Sequence, residues 1–113
     1  MDLEMQTLEQ QWGLKSLYNH EIECGSGWFP LLERFLTELS PTQRANDVHQ
    51  IKEKFGTLRI YGSLEVETIA QKYEILSAIT CEVSGNAGSL HKKGRWLKTL
   101  SSDQAEILGY QPV

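Results

Sequence analysis

Apolar residues recur at intervals of three and four in two segments of the chain, which is the spacing of one buried helix face. The first segment, residues 29 to 39, is closed by Ser40-Pro41, because proline disfavours helix in the residue before it. The second segment, residues 63 to 80, has Ser63 or Thr68 as its cap. The pattern therefore predicts two helices with these buried stripes: Phe29, Leu32, Phe35, Leu36 and Leu39, and then Val66, Ile69, Ala70, Tyr73, Leu76 and Ile79.

Alternation of apolar and polar residues predicts β structure between the two helices, over residues 48 to 62. Phe55-Gly56 interrupts the alternation, so we expect two short strands joined there by a turn or bulge. A further short strand over residues 21 to 27 runs into a Gly-Ser-Gly turn, with Ser26 as the N-cap of the first helix. The polar residues 42 to 47 are predicted to be a loop.

The last third of the chain predicts a smaller unit. Residues 89 to 91 pair with residues 95 to 100 as a hairpin around a lysine–glycine turn. Residues 101 to 108 follow as a short helix, because Ser101 and Gln104 have the spacing of a capping box. Gly109 fits the end of that helix.

The fold class predicted from these elements is α+β. We expect two main helices packed on a small antiparallel sheet, followed by the C-terminal hairpin and short helix. Residues 1 to 113 are predicted to form a single domain, in which residues 81 to 108 make a compact subregion. A short helix over residues 3 to 11 is also expected.

Composition and cysteine content indicate where in the cell the protein is located. Hydrophobic residues make up 40% of the 113 positions, enough for one core. Two cysteines, Cys24 and Cys81, do not make the disulfide framework of a small secreted domain, so both are expected as reduced thiols. The acidic start has no signal-peptide pattern, and no apolar run approaches the ~20 residues that span a bilayer. A cytoplasmic protein without a membrane partner is predicted.

Charge is distributed unevenly along the chain. The formal net charge is −4, whereas nucleic-acid-binding domains usually carry a basic excess. Residues 1 to 80 hold 12 acidic and 7 basic side chains, and residues 81 to 113 hold 3 acidic and 4 basic ones. Two candidate binding sets follow, one acidic and one basic: Glu21, Glu23, Glu33, Glu38, Glu65 and Glu67, and alternatively Lys92, Lys93, Arg95 and Lys98.

No catalytic arrangement is evident in the sequence. A cysteine nucleophile needs a nearby base, and nothing in the local sequence pairs either cysteine with a histidine. The closely spaced carboxylates lie on predicted solvent faces rather than in a cleft. Gly25-Ser26-Gly27 before a helix is more often simple capping than an anion cradle. We predict that the protein is not an enzyme.

The C-terminal subregion has the layout of a zinc knuckle without its ligands. Cys81-x2-Ser84 and Ser101-x2-Gln104 stand where two ligand pairs would stand. A structural zinc needs four thiolate or imidazole ligands, and of these four residues only Cys81 qualifies. We therefore expect no metal and no cofactor.

Three stretches of the chain resemble a family of small bacterial and phage proteins. They are Glu23-Cys24-Gly25-Ser26-Gly27-Trp28-Phe29-Pro30-Leu31, Gln50-Ile51-Lys52-Glu53-Lys54-Phe55-Gly56-Thr57-Leu58-Arg59-Ile60-Tyr61, and Thr80-Cys81-Glu82-Val83-Ser84-Gly85 with Gly94-Arg95-Trp96-Leu97-Lys98-Thr99-Leu100. The resemblance covers about residues 12 to 106. It implies a zinc-ribbon-like shape whose metal has been lost and replaced by packing around Trp96 and Leu97. It implies no reaction.

Four aromatic residues are predicted to lie in or just below the core: Trp28, Phe29, Phe55 and Trp96. An exposed member of this set would instead mark a contact site, because aromatic side chains dominate binding hot spots. The cations Lys52, Lys54 and Arg59 around the Phe55-Gly56 turn are expected to be solvated, with a functional loop as the alternative.

Two functions from different classes remain open. The first is a small acidic protein-binding inhibitor, an immunity protein that neutralises a cognate bacterial toxin through its acidic residues. Charge complementarity then favours a basic toxin, for example a nuclease. The alternative is a phage-derived nucleic-acid-associated accessory protein that uses the basic hairpin at residues 92 to 98.

Overall fold

The computed structural model describes residues 22 to 113 and confirms the α+β class. The predicted short helix at residues 3 to 11 and the predicted site residue Glu21 lie outside the described residues. Four α-helices are present in the described part: α1 (Phe29–Thr37), α2 (Pro41–Asn46), α3 (Leu64–Ser77) and α4 (Ser102–Leu108). None of the described helices is long and apolar enough to cross a membrane.

Six strands of the described residues form two small sheets, each of three strands. The strands are β1 (Ile22–Glu23), β2 (Val48–Lys54), β3 (Thr57–Gly62), β4 (Ser89–Lys93), β5 (Trp96–Leu100) and β6 (Gln111–Pro112). The first sheet has the order β1-β2-β3, and the second has the order β5-β4-β6. Both predicted hairpins are confirmed, but β1 pairs with β2 in parallel, so the first sheet is mixed rather than antiparallel.

The main core lies between the first sheet and helices α1 and α3. Trp28 is fully buried there, and its indole N–H donates to the carbonyl of Thr80 at 2.8 Å. The rings of Phe35 and Tyr73 meet edge to face with 6.0 Å between centroids, which joins α1 to α3. The predicted stripe of α3 ends early, because Ile79 lies beyond the helix and is exposed.

Local capping chemistry explains where several helices begin. Ser63 caps α3 and Ser101 caps α4, as predicted, each accepting the backbone N–H three residues on. The prediction that Ser26 caps the first helix is wrong, because Ser26–Trp28 forms a 3-10 turn and the helix begins after Trp28.

The predicted loop at residues 42 to 47 is also wrong. Helix α2 occupies Pro41–Asn46, and Ser40 and Gln43 form a reciprocal capping box at its start. Proline is tolerated at the first helical position, where its missing N–H has no intrahelical partner to lose. Pro41 therefore begins a second helix as well as following the first.

A second, smaller core holds the C-terminal sheet to α4. Its fully buried members are Cys81 and Leu100, with Ala105 nearly so, and Leu108 and Tyr110 pack against them. The resemblance placed Trp96 and Leu97 in this role, and for Trp96 that prediction is wrong because its side chain is 73% exposed.

Candidate functional site

The tip of the β2–β3 hairpin is a two-residue turn made by Phe55 and Gly56. Lys54 pairs with Thr57, and the two residues between them have φ of +54° and +87°. Two positive φ values are the signature of a type I′ turn, which favours Asn-Gly or Gly-Gly. Phe55 is the only non-glycine residue with positive φ in the described part of the chain. Its side chain is 68% exposed, so the prediction that it lies in or below the core is wrong.

The Phe55-Gly56 tip is fixed against the C-terminal hairpin. The N–H of Gly56 donates to Glu53 Oε2 at 2.7 Å, and its carbonyl accepts from Thr99 Oγ1 at 2.7 Å. A Cβ at Gly56 would lie 2.7 Å from Leu90 Cδ1 and would have to displace the end of that side chain, and the φ of +87° itself favours glycine. The two hairpins therefore hold one relative position at this point.

The β4–β5 hairpin places a second aromatic residue beside that tip. Its two-residue turn has Gly94 first, with φ of +60°, as a type II′ turn prefers. Trp96 pairs with Lys93 directly after the turn. This position lies at the end of the sheet, where no element of residues 22 to 113 covers the indole, and that explains why Trp96 is exposed rather than buried.

These residues border a groove of about 640 Å³. We call it the aromatic–basic groove, and its lining residues are Glu53, Phe55, Lys93, Arg95, Trp96, Leu97, Lys98 and Tyr110. Three of the four predicted basic residues therefore line one feature. The fourth, Lys92, is exposed on β4 and faces a neighbouring depression with Lys93 and Gln111.

Cations lie directly against the aromatic rings of the groove. Lys54 Nζ is 5.6 Å from the centroid of Phe55, and Lys93 Nζ is 5.9 Å from that of Tyr110. Lys93 also donates to the carbonyl of Leu108 at 3.0 Å. Such cation–π contacts attract the flexible lysine side chains to the rings that border the groove.

A buried carboxylate contacts Lys98, one of the residues that line the groove. Glu82 is 4% exposed, and its Oε1 lies 3.3 Å from Lys98 Nζ. Its Oε2 accepts the backbone N–H of Gly25 at 2.9 Å, while its carbonyl accepts that of Gly27 at 2.8 Å. The charge of Lys98 is thus compensated within the protein.

Of the five predicted acidic residues that the structure describes, three already have hydrogen-bond partners within the protein. Glu23, Glu33, Glu38, Glu65 and Glu67 are all exposed. Glu65 accepts from Gln43 at 2.9 Å, and Glu67 accepts the N–H of Gly62 at 3.0 Å. Within residues 22 to 113, the carboxylates of Glu23 and Glu33 have no hydrogen-bond or ion-pair partner.

Glu38 is the most strongly engaged of the predicted acidic residues. Lys72 Nζ lies 2.7 Å from its carboxylate, and the hydroxyl of Tyr73 donates to the same group. Hydrogen bonds from Lys72 and then Tyr73 lower the pKa of Glu38. Glu38 therefore ties the end of α1 to α3, and this structural role competes with a role in partner binding.

The turn that begins at Cys81 surrounds a sulfur atom with donors. Cys81 Sγ accepts the backbone N–H of Ser84 at 3.3 Å. Burial alone would raise the pKa of Cys81, but hydrogen bonds from Ser84 and from the N–H groups of Ser101 and Val83 lower it to about 7.

No group of three or more His, Cys, Asp or Glu side chains in residues 22 to 113 could hold a metal ion. The zinc-ribbon likeness stays a prediction.

The geometry of the two thiols does not suit a nucleophile. Burial, reinforced by the charges of Glu82 and Glu53, raises the pKa of Cys24 to about 12 and keeps its thiol protonated. Cys81 ionises more easily but is fully buried. His91 is buried and its Nδ1 lies 2.7 Å from the carbonyl of Ser89.

Sequence reasoning missed Tyr110 and Glu82, and misplaced Phe55 and Trp96. A signal was available for the last two, since each lies beside a glycine turn, where hairpin residues are least covered. No local signal marks Glu82, whose burial depends on contacts with Gly25 and Lys98.

No family model matches the chain, and neither a curated protein nor a solved structure matches it significantly.

Proposed function

We propose that the protein is a non-enzymatic accessory protein that binds nucleic acid in the aromatic–basic groove. The observation that carries this proposal is the exposure of Trp96 and Phe55 among Lys54, Lys93 and Arg95. Cations that neutralise phosphates, combined with aromatic faces that stack on bases, are the usual parts of a nucleic-acid groove.

The charges around the groove favour a negatively charged ligand. Glu53 is the one acidic residue among the lining residues, and one of its oxygens accepts the N–H of Gly56. Lys98 is compensated by Glu82, which leaves Lys54, Lys93 and Arg95 without an ion pair in the described part of the chain. If all three contact phosphates, the logarithm of the affinity falls with the logarithm of salt concentration with a slope of about −2 to −3.

The test is fluorescence anisotropy with labelled oligonucleotides over a series of salt concentrations. We expect Lys54→Glu with Arg95→Glu to weaken binding at least tenfold and to flatten the salt dependence. The matched control is Arg34→Glu, which reverses an exposed charge on α1, away from the groove. Absence of oligonucleotide binding at low salt, or equal losses in the groove and control variants, would contradict the proposal.

A second candidate function is that of an immunity protein, which would inhibit a basic cognate toxin such as a nuclease. The observation in its favour is that Glu23 and Glu33 are exposed and their carboxylates are unengaged within residues 22 to 113, on a chain of net charge −4. Reversing both charges should then slow association with a captured protein partner and reduce its salt dependence. A partner whose on-rate ignores salt and these reversals argues against this function.

A further inference from the structure

We infer that the nucleic acid bound in the aromatic–basic groove is single-stranded, with unpaired bases stacked on Trp96 and Phe55. This inference rests on the proposed function and narrows its ligand class. Bases in a duplex are stacked on one another, so an exposed aromatic ring reaches a base face without the cost of unstacking only where the strand is unpaired.

Trp96 supplies the larger stacking surface. Its side chain is 73% exposed, at the first position of β5, directly after the Gly94 turn. No cation of the described residues lies over the indole, in contrast to the rings of Phe55 and Tyr110. An indole in this position adds little to the core, and its faces are open to a base.

Phe55 has a left-handed backbone conformation that is unfavourable for a residue with a side chain. A non-glycine residue in the left-handed region costs about 1–2 kcal/mol, and an exposed ring recovers little of that by burial. Backbone strain of this kind clusters at functional sites, where surrounding contacts maintain it. Here Thr99 and Glu53 hold the backbone of Gly56, so the turn that carries Phe55 keeps its position beside the C-terminal hairpin.

The small number of available cations also favours a single strand. Duplex DNA carries one charge per ~1.7 Å of axis, and proteins that bind it neutralise many phosphates. Lys93 and Arg95 line the groove, and Lys54 lies against the ring of Phe55 at its border, while Lys98 is compensated by Glu82. Stacking must therefore supply much of the affinity, and stacking is tolerant of base identity.

The experiment compares a fluorescein-labelled dT12 strand with the same strand annealed to dA12. We expect the single strand to bind the wild-type protein at least tenfold more tightly than the duplex. Trp96→Leu and Phe55→Asn should each weaken single-strand binding by about 5- to 150-fold, as loss of one stacked base predicts. Trp96→Phe, which keeps an aromatic face, should retain most of the binding.

Ile75→Ala is the control, because Ile75 is 73% exposed on α3 and does not line the groove. Equal binding of strand and duplex, unaffected by Trp96→Leu and Phe55→Asn, overturns the single-strand inference. In that case the proposed function still stands if Lys54→Glu with Arg95→Glu weakens binding. Failure of every oligonucleotide to bind overturns both.

Discussion

The carboxylate of Glu74 on α3 accepts the backbone N–H of Ile60 at 2.8 Å and so joins the helix to the outer edge of β3. Two further side chains of α3 do the same along this edge: Ser77 accepts from Leu58 at 2.9 Å, and Glu67 accepts from Gly62 at 3.0 Å. A free strand edge invites pairing with another chain. The helix therefore satisfies three edge donors that would otherwise be open to a further strand.

The contact of Ser77 with Leu58 gives the first prediction. Both residues are fully buried, so Ser77→Ala leaves the N–H of Leu58 without an acceptor in a dry environment. We expect a loss of about 1–3 kcal/mol in the free energy of unfolding, measured with urea. The control Ser102→Ala, at an exposed serine of α4, should change stability by less than about 0.5 kcal/mol.

Trp28 and Trp96 should contribute very differently to stability, because Trp28 is buried and Trp96 is exposed. Trp28→Ala removes a fully buried side chain together with its hydrogen bond to Thr80 and should cost about 3–5 kcal/mol. Trp96→Ala removes an exposed indole and should cost less than about 1 kcal/mol. Denaturant unfolding of both variants tests this, and a larger loss for Trp96→Ala would mean that its ring is covered.

Phe55→Asn should make the protein more stable while weakening its binding. Asparagine adopts positive φ more easily than phenylalanine, and Asn-Gly is the preferred type I′ pair. We expect a gain of about 0.5–1.5 kcal/mol in the free energy of unfolding. An unchanged or reduced melting temperature for this variant would show that the Phe55 ring makes a stabilising contact.

Close approach at Gly27 gives a steric prediction. A Cβ there would lie 2.3 Å from the carbonyl oxygen of Cys81 and 2.5 Å from that of Glu82, both backbone atoms. Gly27→Ala must therefore push the 3-10 turn away from the Cys81 turn, at a cost of about 2 kcal/mol or more. Ser26→Ala, at the exposed neighbour, is the control and should be nearly neutral. Thermal unfolding of the two variants decides the point.

Ionisation of the two thiols should change the free energy of unfolding with pH in opposite directions. Against the effect of burial, hydrogen bonds lower the pKa of Cys81 from 9.0 in the unfolded chain to about 7 in the folded protein. Between pH 7 and 9 the unfolded state therefore binds more protons, and the free energy of unfolding rises with pH. Burial first, and then Glu82 and Glu53, raise the pKa of Cys24 from 9.0 to about 12, so above pH 9 the unfolded state loses that proton first and stability falls.

Urea unfolding between pH 6.5 and 10 measures both effects, in steps of about half a pH unit. Cys81→Ser should remove the rise between pH 7 and 9, and Cys24→Ser should reduce the fall above pH 9. The same rise in wild-type protein and in Cys81→Ser would assign it to other groups.

Local patterns in the sequence determined much of the secondary structure. The stripes of α1 and α3, the glycine turns at Gly56 and Gly94, and the cap at Ser101 all follow from interactions among residues close in the chain. The error at α2 was also local, because Ser40 and Gln43 have capping-box spacing and Pro41 fits a helix start as well as a helix stop.

Tertiary structure alone decided which residues meet at the groove. Phe55 and Trp96 are 41 positions apart, and whether each ring is covered depends on how the two hairpins dock through Gly56 and Thr99. The burial of Glu82 likewise depends on Gly25, which is 57 positions away. Periodicity describes one element at a time, whereas exposure is set by contacts between elements, so the sequence determined the parts of this protein and the packing determined its candidate site.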